Sequence, residues 1–480
     1  MEKIQNYING EFSKPVSNQY LEVFEPATGA PYALVPNSNR LDVENAYVSA
    51  KEAFKNWSSI TIQERSEYLN LIADKIEEKL NLFSEFESRD TGKPIQLSSS
   101  MDIPRSIYNL KFFAQYAEEY NFNFKLINKT SQSRVVSKPL GVVGCISPWN
   151  LPLYLFTWKI APALITGNTV IAKPSEITPY TAFKFSEICN EVGLPSGVLN
   201  IIHGEGAIVG DAIISHNDLK AISFTGGTQT GMKIANKTAA SFKKMALEMG
   251  GKNPAIIFSD CDYDKMIKTV IKSTFTNQGQ ICLCSSRILV EKTLYEKFKK
   301  DFIRKTSEII IGDPKEKEVE FGAVSSKEHF DKILNYIKVA RDEGGSILFG
   351  GHPIKLNNRC STGWFIQPTI IEGLSNKSKI NQEEIFGPLA TLIPFENENE
   401  AINIANDTTY GLSATIWSED NLKLDRVSNK VNAGVIWTNC WLVRDLRTPF
   451  GGMKNSGYGK EGGQEAIRFF TEQKTICKTI

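Results

Sequence analysis

The sequence lacks an apolar run long enough to cross a membrane, for which about 20 consecutive apolar residues are needed. Its first twenty residues mix charges, asparagines and isolated apolar residues, a pattern not typical of a secretory signal. Basic and acidic residues nearly cancel, at 55 and 54, so the basic excess of proteins that bind nucleic acid or anionic membranes is missing. These absences favour a small-molecule partner over nucleic acid or a membrane.

Cysteine and histidine are also scarce, with eight cysteines and four histidines in 480 residues. This is too few cysteines for a disulfide scaffold. Cys282 and Cys284 lack the two-residue gap that is typical of zinc sites, and the histidines are scattered. We therefore expect free thiols, a reducing cytoplasm and no metal.

The length of the chain suggests two to four domains. We predict a long helix from Thr61 to about Arg89, because Thr61 and Glu64 form a capping box at its start. A second helix is predicted from about Pro104, after a short polar turn over residues 98–100.

From residue 141 onward, short apolar runs alternate with helical stretches, which predicts an α/β protein with a parallel sheet covered by helices on both faces. Such sheets bind ligands beyond the carboxyl ends of their strands. A second strand–helix series begins at Pro254 and implies a second domain from about residue 251. The polar segment 122–139 and the last residues, 469–480, are predicted to be extended. The runs of the first series are Val142–Ile146, Thr169–Ala172, Val198–Ile202 and Ala221–Phe224.

Three polar residues in these stretches have both a structural and a chemical interpretation. Cys282 follows a helical run; it is either a buried structural thiol, as most free cysteines are, or a nucleophile. Glu248 ends a predicted strand, and a pair of glycines follows closely. It is either part of a solvated turn or a general base. Asn150 lies between two prolines and either satisfies loop backbone or stabilises an oxyanion.

Two glycine turns each follow a predicted strand and precede a helix. One contains Gly206 and Gly210, and the other contains Gly226, Gly227 and Gly231. Neither reproduces the usual dinucleotide fingerprint, and any tight strand-to-helix turn favours glycine. The helix that begins after Gly227 could nevertheless hold a pyrophosphate at its N-terminus.

Seven short motifs, taken together and in order, resemble the aldehyde dehydrogenase superfamily over nearly the whole chain. They are Pro148-Trp149-Asn150, Lys173-Pro174-Ser175-Glu176, Phe224-Thr225-Gly226-Gly227, Glu248-Met249-Gly250-Gly251, Gly279-Gln280-Ile281-Cys282, Glu384-Ile385-Phe386-Gly387-Pro388 and Pro449-Phe450-Gly451-Gly452.

The resemblance implies a three-part α/β subunit. A Rossmann-type coenzyme domain would cover residues 1–120 and 140–250, and an α/β catalytic domain would cover 251–455. A β-arm at 121–139, together with residues 456–480, would form an oligomerisation element, which gives a homodimer or homotetramer.

The resemblance also implies a reaction. Cys282 would attack the aldehyde as a thiolate, while the Asn150 amide and the Cys282 backbone N–H hold the oxyanion. After hydride transfer leaves a thioester, Glu248 would activate water and release a free acid. Relatives that transfer the acyl group to coenzyme A generally lack this glutamate.

For the coenzyme, the resemblance places Lys173 and Glu176 at the adenosine ribose, and Glu384 and Phe386 at the nicotinamide ribose. A carboxylate beside the 2′ position repels a 2′-phosphate, so Glu176 favours NAD over NADP, although Lys173 is nearby. The other residues expected at the coenzyme are Trp149, Ser175, Gly206, Gly210, Phe224, Gly227, Leu247 and Gly250.

Arg105 and Arg444 fall where many members of the family have apolar or aromatic residues in the substrate tunnel. Either they form ion pairs, with Asp102 and Asp445 as nearby candidates, or they bind an acidic group of the aldehyde. The role of Arg447 is open. The apolar tunnel walls are predicted to be Leu151, Tyr154, Trp158 and Phe450.

The local sequence around Asn150, Cys282 and Arg444 resembles the branch of the superfamily that oxidises 2-aminomuconate or 2-hydroxymuconate semialdehyde. The choice between the amino and hydroxy forms stays open. One alternative is a broader enzyme for aliphatic or betaine-type aldehydes, although the two arginines disfavour a cationic substrate. A second alternative is a non-catalytic binding protein that retains the fold.

Overall fold

The computed structural model describes residues 1–120 and 122–480. The strands up to the middle of the chain are β1 (Glu2–Lys3), β2 (Asn6–Ile8), β3 (Glu11–Ser13), β4 (Tyr20–Glu25), β5 (Ala30–Pro36), β6 (Asn123–Ile127), β7 (Ser131–Pro139), β8 (Val142–Ile146), β9 (Thr169–Lys173), β10 (Leu199–Ile201), β11 (Ala221–Thr225) and β12 (Lys244–Glu248). The strands that follow are β13 (Asn253–Ile257), β14 (Ser285–Glu291), β15 (Ser346–Phe349), β16 (Pro353–Ile354), β17 (Phe365–Ile366), β18 (Thr369–Glu372), β19 (Leu389–Phe395), β20 (Tyr410–Gly411), β21 (Ser413–Trp417), β22 (Val435–Thr438), β23 (Met453–Lys454), β24 (Gly457–Tyr458) and β25 (Thr471–Thr479).

Helices occupy most of the chain between the strands. They are α1 (Arg40–Trp57), α2 (Ile62–Glu78), α3 (Leu80–Thr91), α4 (Ile95–Leu97), α5 (Ile103–Glu119), α6 (Pro152–Ile165), α7 (Tyr180–Glu191), α8 (Asp211–Ser215), α9 (Thr228–Ala239), α10 (Tyr263–Phe275), α11 (Lys292–Ser307), α12 (Lys327–Asp342), α13 (Lys379–Gln382), α14 (Glu398–Asn406), α15 (Asn421–Lys430) and α16 (Gly463–Phe469). Short π-helical turns cover Ser98–Asp102 and Gly206–Gly210, and 3-10 turns cover Thr276–Gly279 and Asn358–Cys360. Within the described ranges, no helix is both long and apolar enough to cross a membrane.

The first large sheet has the strand order β24-β12-β11-β8-β9-β10-β2-β3. Strands β12, β11, β8, β9 and β10 are parallel, and antiparallel strands complete both edges. Because alternate residues of a strand point to opposite faces, Val143 packs in the apolar cluster on one face and Val142 in the cluster on the other. Helices cover both faces, as the alternating pattern predicted.

The second large sheet has the order β15-β18-β19-β14-β13-β21-β22, in which every neighbouring pair except β15–β18 is parallel. It is also covered on both faces, since Ala255 and Ile257 pack in one apolar cluster and Ile256 packs in another. The chain passes from the first large sheet to the second between the end of β12 at Glu248 and the start of β13 at Asn253.

The polar arm is a β-hairpin. Strand β6 pairs with β7, and β25 pairs with β7 along its whole length, from Thr471–Pro139 to Thr479–Ser131. The predicted oligomerisation element at 456–480 also contains β24, which joins the first large sheet, and α16, whose Ile467 is buried in the first core. Asn121, where the predicted arm begins, lies outside the described residues. The division into domains stays a prediction.

Two local predictions need correction. The single helix predicted from Thr61 to Arg89 is two helices, because Lys79 leaves helical backbone geometry with ψ 22° between α2 and α3. The capping box of Thr61 and Glu64 is present. The polar turn predicted at residues 98–100 is helical: it continues from α4 through a π-helical turn into α5.

Candidate active site

Two connected cavities lie where the carboxyl ends of the central strands of the first sheet face the second sheet. We call the larger one, of about 440 Å³, the arginine-lined cavity after Arg105 and Arg444. The smaller one, of about 200 Å³, is called the glycine-lined cavity after Gly226, Gly227 and Gly250. Cys282 lines both cavities. A group that reacts with Cys282 could therefore meet ligands from both sides.

A strained turn presents Cys282 to the two cavities. Helix α10 ends at Phe275, and then Asn277 and Gln278 adopt left-handed backbone with φ 54° and 57°. Gly279 follows with φ 70°, and a Cβ there would lie 2.3 Å from the carbonyl oxygen of Gly387. Left-handed backbone in non-glycine residues is costly and is concentrated at functional sites. Only glycine fits at 279, so the turn fixes the position of the backbone that leads to Cys282.

Asn253 binds the backbone of the loop that carries Cys282. The sequence analysis did not identify this residue. Its Nδ2 donates to the carbonyl oxygens of Cys282 at 2.7 Å and Cys284 at 2.9 Å, while its Oδ1 accepts from Ser413 N at 3.0 Å. The signal available in the sequence was its place directly after the two glycines and the lysine that follow Glu248. The cross-link depends on the pairing of β13 with β21, which local patterns do not reveal.

The surroundings of Cys282 disfavour the thiolate form of its side chain. Burial, followed by the charges of Glu384 and Glu248, raises the pKa of the thiol well above its ordinary value. Its neighbour Cys284 is buried, and its Sγ lies 3.8 Å from the carbonyl oxygen of Thr276. Cys282 is thus the thiol of this loop that lines both cavities, and it needs a base before it can act as a nucleophile.

Asn150 is buried beside Cys282, and its backbone is fixed by two donors. Lys93 Nζ donates to the Asn150 carbonyl oxygen at 2.9 Å, and Asn277 Nδ2 donates to the same oxygen at 3.1 Å. Asn150 Nδ2 donates one hydrogen to the carbonyl oxygen of Gln280 at 2.9 Å. An amide nitrogen carries two hydrogens, and the described residues provide no acceptor for the second one.

Glu248 ends β12 and lines the arginine-lined cavity. Both of its carboxylate oxygens are buried and have no hydrogen-bond partner within residues 1–120 and 122–480. Burial, followed by the charge of Glu461, raises the pKa of Glu248 well above its ordinary value. Glu461 itself accepts from Lys159 Nζ at 2.8 Å and from Trp158 Nε1 at 2.7 Å. An unpartnered carboxylate with a raised pKa is suited to accept a proton from water.

Arg105, on α5, lines the arginine-lined cavity and forms no ion pair with any described residue. The candidate partner, Asp102, is bound by the ammonium group of Lys93, and both of these side chains are fully buried. Arg105 Nη2 is buried with no hydrogen-bond partner among the described residues. The guanidinium lies 5.0 Å from the ring centre of Tyr154. Among the described residues, no contact of Arg105 supports the ion-pair interpretation.

Arg444 enters the same cavity from the loop after β22. The candidate partner, Asp445, pairs instead with Arg447, whose Nε lies 3.0 Å from a carboxylate oxygen. Arg444 Nε and Nη2 are buried and have no partner in the part of the chain that is described. The guanidinium stacks 3.9 Å from the ring centre of Phe450 and 4.5 Å from that of Trp158. Two cations thus bring unused donors to one cavity.

The four predicted apolar wall residues all line the arginine-lined cavity. They are Leu151, Tyr154, Trp158 and Phe450. Trp158 differs from the prediction in one respect, since its indole N–H is bound by Glu461 and only its ring is available as apolar surface.

The glycine-lined cavity contains five of the residues predicted at the coenzyme, namely Trp149, Gly227, Gly250, Glu384 and Phe386. Gly227 precedes α9, and a Cβ there would meet nothing within 4 Å, so a ligand could approach the backbone at this helix N-terminus. Thr225 Oγ1 is buried at the junction of the two cavities with no partner among the described residues.

Four further predicted coenzyme residues meet beside the end of β9. Lys173 Nζ lies 2.9 Å from Glu176 Oε2, and the Gly206 backbone N–H donates to Glu176 Oε1 at 3.1 Å. Gly210 adjoins the Lys173 side chain. Burial opposes ionisation of Glu176, but the charge and hydrogen bond of Lys173 outweigh it and hold the pKa of that carboxyl below its ordinary value. Glu176 is therefore an anion.

Three predicted coenzyme residues do not offer side chains to a cavity. Phe224 and Leu247 are buried in the apolar cluster between the first sheet and α1, α8 and α9, because their side chains point into the layer rather than beyond the strand ends. Only their backbone could meet a ligand. The hydroxyl of Ser175 accepts from Ile177 N at 3.2 Å within its own turn.

His329 and Lys332, on α12, also line the glycine-lined cavity, and no motif predicted them. His329 Nε2 lies 2.7 Å from the carbonyl oxygen of Phe386, which has left-handed backbone at φ 65°. Burial lowers the pKa of His329 to about 4, so the ring is neutral and Nε2 donates to this carbonyl. Burial also lowers the pKa of Lys332. Both residues arrive on a helix that is distant in sequence, which leaves no local signal.

Comparison with known proteins gives a consistent result. The profile of the aldehyde dehydrogenase family matches residues 12–476. The 2-aminomuconic semialdehyde dehydrogenases of Danio rerio and Homo sapiens are 47% and 46% identical to the chain, each over 98% of this chain and 97% of the relative. The 2-hydroxymuconic semialdehyde dehydrogenase of Pseudomonas sp. (strain CF600) is 40% identical over 99% of both chains.

Solved structures match over the whole fold. A putative aldehyde dehydrogenase from Burkholderia cenocepacia superimposes with a TM-score of 0.97 at 36% identity, over 100% of this chain and 98% of that chain. A betaine aldehyde dehydrogenase from Staphylococcus aureus in complex with NAD+ gives a TM-score of 0.96 at 36% identity, over 99% of this chain and 94% of that chain.

Proposed function

The chain belongs to the aldehyde dehydrogenase family, as its seven motifs predicted, and we propose that it oxidises 2-aminomuconate or 2-hydroxymuconate semialdehyde to the carboxylate with NAD. The relatives named above support this substrate class. The observation that carries it is the pair of guanidinium groups, Arg105 and Arg444, that enter the cavity at Cys282 without a carboxylate partner in the described residues.

The reaction follows from the placement of three side chains. Cys282 Sγ, once deprotonated, adds to the aldehyde carbon, and the free amide hydrogen of Asn150 with the Cys282 backbone N–H holds the oxyanion. NAD held in the glycine-lined cavity beside Gly227, Glu384 and Phe386 would supply the acceptor for the hydride that leaves this carbon. Cys282 is then joined to the acyl group as a thioester. Glu248 takes a proton from water, the water oxygen bonds to the acyl carbon, and the Cys282 sulfur departs.

The residues around the glycine-lined cavity fit a dinucleotide. The open N-terminus of α9 at Gly227 suits a pyrophosphate, and the buried, unpartnered Thr225 hydroxyl lies where the two cavities meet. The anionic Glu176 would accept a hydrogen bond from a ribose 2′-hydroxyl and would repel a 2′-phosphate. These features support NAD over NADP.

The arginine-lined cavity favours an anionic aldehyde over a cationic one. A guanidinium is a planar fork that binds a carboxylate through two parallel hydrogen bonds. A buried cation that lacks a partner is costly, so two such groups in one cavity favour a ligand that brings negative charge. Both muconate semialdehydes carry a carboxylate at the end remote from the aldehyde. A betaine-type aldehyde would place a third positive charge in the same space.

A substrate panel with Arg444 variants tests the proposal. For Arg444→Ala, we expect kcat/KM for an acidic semialdehyde to fall by about 30-fold or more, because one partner of a buried charge pair is lost. The value for a neutral aldehyde of similar length should change by less than about threefold, since no ionic contact is lost with it. Arg447→Ala is the matched control, because Arg447 is exposed and paired with Asp445. Equal losses for both aldehydes would refute the substrate class.

We also propose that the enzyme is a cytoplasmic homo-oligomer. All eight cysteines are free, which fits a reducing compartment. The hairpin strand β6 exposes Phe124, Leu126 and Ile127 at 40%, 62% and 68%, and a contiguous exposed apolar patch is typical of a surface that contacts another protein. Light scattering should give a dimer or tetramer, and Leu126→Asp together with Ile127→Asp should shift the mass toward the monomer. An unchanged mass would exclude this strand from the interface.

A further inference from the structure

A buried asparagine one turn after Arg105 contacts the guanidinium directly. Asn109 lies on α5 and is fully buried, and its Oδ1 accepts a hydrogen bond from Arg105 Nε at 3.0 Å. Asn109 does not line the arginine-lined cavity. Its contact with a bound aldehyde would therefore be indirect, through Arg105.

The orientation of the Asn109 amide is fixed from the opposite side. Its Nδ2 donates to the carbonyl oxygen of Tyr154 at 3.0 Å and to Thr157 Oγ1 at 3.2 Å. The Thr157 hydroxyl donates its own hydrogen to the carbonyl oxygen of Leu153 at 3.0 Å or of Tyr154 at 3.1 Å. The Tyr154 carbonyl oxygen can only accept a hydrogen bond, and Arg105 Nε can only donate one. The amide nitrogen must face α6, and the amide oxygen must face Arg105.

This orientation decides which nitrogens of Arg105 remain for a ligand. Nε is satisfied by Asn109, while Nη2 is buried without a partner in the described part of the chain. The guanidinium also lies 5.0 Å from the ring centre of Tyr154, the residue whose carbonyl holds Asn109. The guanidinium is thus held at Nε, and its Nη2 has no partner among the described residues beside the cavity that Arg105 lines.

We propose that Asn109 is a positioning residue that aims the Arg105 guanidinium at the remote carboxylate of the substrate and so sets the preference for acidic aldehydes. The inference rests on the proposed function, because it needs an acidic group for Arg105 to bind. A preorganised donor loses less conformational freedom when its ligand arrives. Without Asn109, Arg105 would keep its charge but lose its fixed direction.

The test compares Asn109→Leu with wild type on an acidic semialdehyde and on an uncharged aldehyde of equal length. For Asn109→Leu, we expect KM for the acidic substrate to rise about tenfold, with kcat within about twofold, because ground-state binding of the carboxylate is weakened. Inhibition by muconate, a six-carbon dicarboxylate that cannot react, should weaken by the same factor. Kinetic constants for the uncharged aldehyde should stay within about twofold.

Two further variants separate positioning from general damage to α5. Ser106→Ala is the matched control, since Ser106 is equally buried on the same helix and donates only to Asp102 O within α5. It should leave both substrates unchanged. Asn109→Asp keeps the shape of the side chain and serves if the leucine variant does not fold. It should also raise KM for the acidic substrate, because its carboxylate would occupy Arg105 as an ion pair.

A double-mutant cycle with Arg105→Ala gives the decisive result. If Asn109 acts through Arg105, Asn109→Leu should add less than about twofold to the KM of Arg105→Ala, since coupled residues are not additive. Full additivity, or equal losses on the uncharged aldehyde, would overturn the positioning role even when Arg105→Ala is selective for acids. If Arg105→Ala itself affects both aldehydes alike, the proposed substrate class fails and the positioning role fails with it.

Discussion

Lys93 Nζ binds both the carboxylate of Asp102 and the main-chain carbonyl oxygen of Asn150. One fully buried ammonium thus connects the π-helical turn before α5 with the loop that carries the predicted oxyanion donor. The same contact occupies Asp102, so Arg105, three residues later, has no carboxylate partner among the described residues.

Lys93→Met should therefore be strongly destabilising. Removing one partner of a buried ion pair leaves an uncompensated charge, here on Asp102, at a cost of roughly 3–5 kcal/mol. Denaturant unfolding should show this loss. Lys55→Ala is the control, because Lys55 pairs with Glu52 on the exposed face of α1, where such pairs contribute about 0–1 kcal/mol. A Lys93→Met protein as stable as the Lys55→Ala protein would contradict the structural role of the buried pair.

The reactivity of Cys282 should depend on the charge of Glu384. Glu384 is the first charged group, after burial, that raises the pKa of the Cys282 thiol. Removing this negative charge in Glu384→Gln lowers the thiol pKa, so more thiolate is present at a given pH below that pKa. Alkylation of Cys282 by iodoacetamide at pH 8 without coenzyme, followed by peptide mass spectrometry, should be about threefold faster or more.

Glu383→Gln is the matched control for this measurement. Glu383 is the preceding carboxylate, but it accepts from Tyr336 OH at 2.5 Å and is not among the main causes of the raised pKa of Cys282. Its substitution should leave the alkylation rate unchanged. Equal acceleration in both variants would mean that loop loosening, and not the Glu384 charge, controls the thiol.

Loss of Glu248 should separate the two halves of the reaction. In Glu248→Ala, the Cys282 thiol can still form the thioester, but no carboxylate remains to activate water. NADH should appear in a burst of about one equivalent per subunit and then almost stop. Intact mass should show the acyl group on the protein, and Cys282→Ala should carry none. Steady turnover at the wild-type rate by Glu248→Ala would remove it from the role of base.

Coenzyme preference should shift when Glu176 loses its charge. Glu176→Gln keeps the shape of the side chain but removes the anion that would repel a 2′-phosphate, while Lys173 remains beside it. The value of kcat/KM for NADP should rise by about tenfold. The value for NAD should fall, because a glutamine oxygen accepts a hydrogen bond from the ribose 2′-hydroxyl less strongly than a carboxylate does. Glu191→Gln, a surface carboxylate paired with Lys79, should change neither value. An unaltered NADP/NAD ratio would place the discrimination elsewhere.

Much of the site was predictable because its central residues occur in short contiguous motifs. Glu248 ends a strand, and Cys282 follows a tight turn. The residues next to each of them in the sequence were therefore enough to predict a position at the edge of a sheet. The wall residues Leu151, Tyr154 and Trp158 follow within two turns of Asn150 and line one cavity. The capping box at Thr61 could also be predicted from neighbouring residues. The one-residue break at Lys79 could not, because the apolar residues keep their helical spacing across it.

The sequence by itself determined the family, the α/β architecture and the order of the chemical groups, because these depend on local patterns that survive without knowledge of the packing. Only the tertiary structure decided which charged side chains pair with one another. It assigned Asp102 to Lys93 and Asp445 to Arg447, and so left Arg105 and Arg444 without a carboxylate partner in the described ranges. It also brought His329, Asn253 and Asn109 to the site or to the residues that line it. Which carboxylate a buried cation meets is set by long-range packing and desolvation, and sequence spacing carries neither.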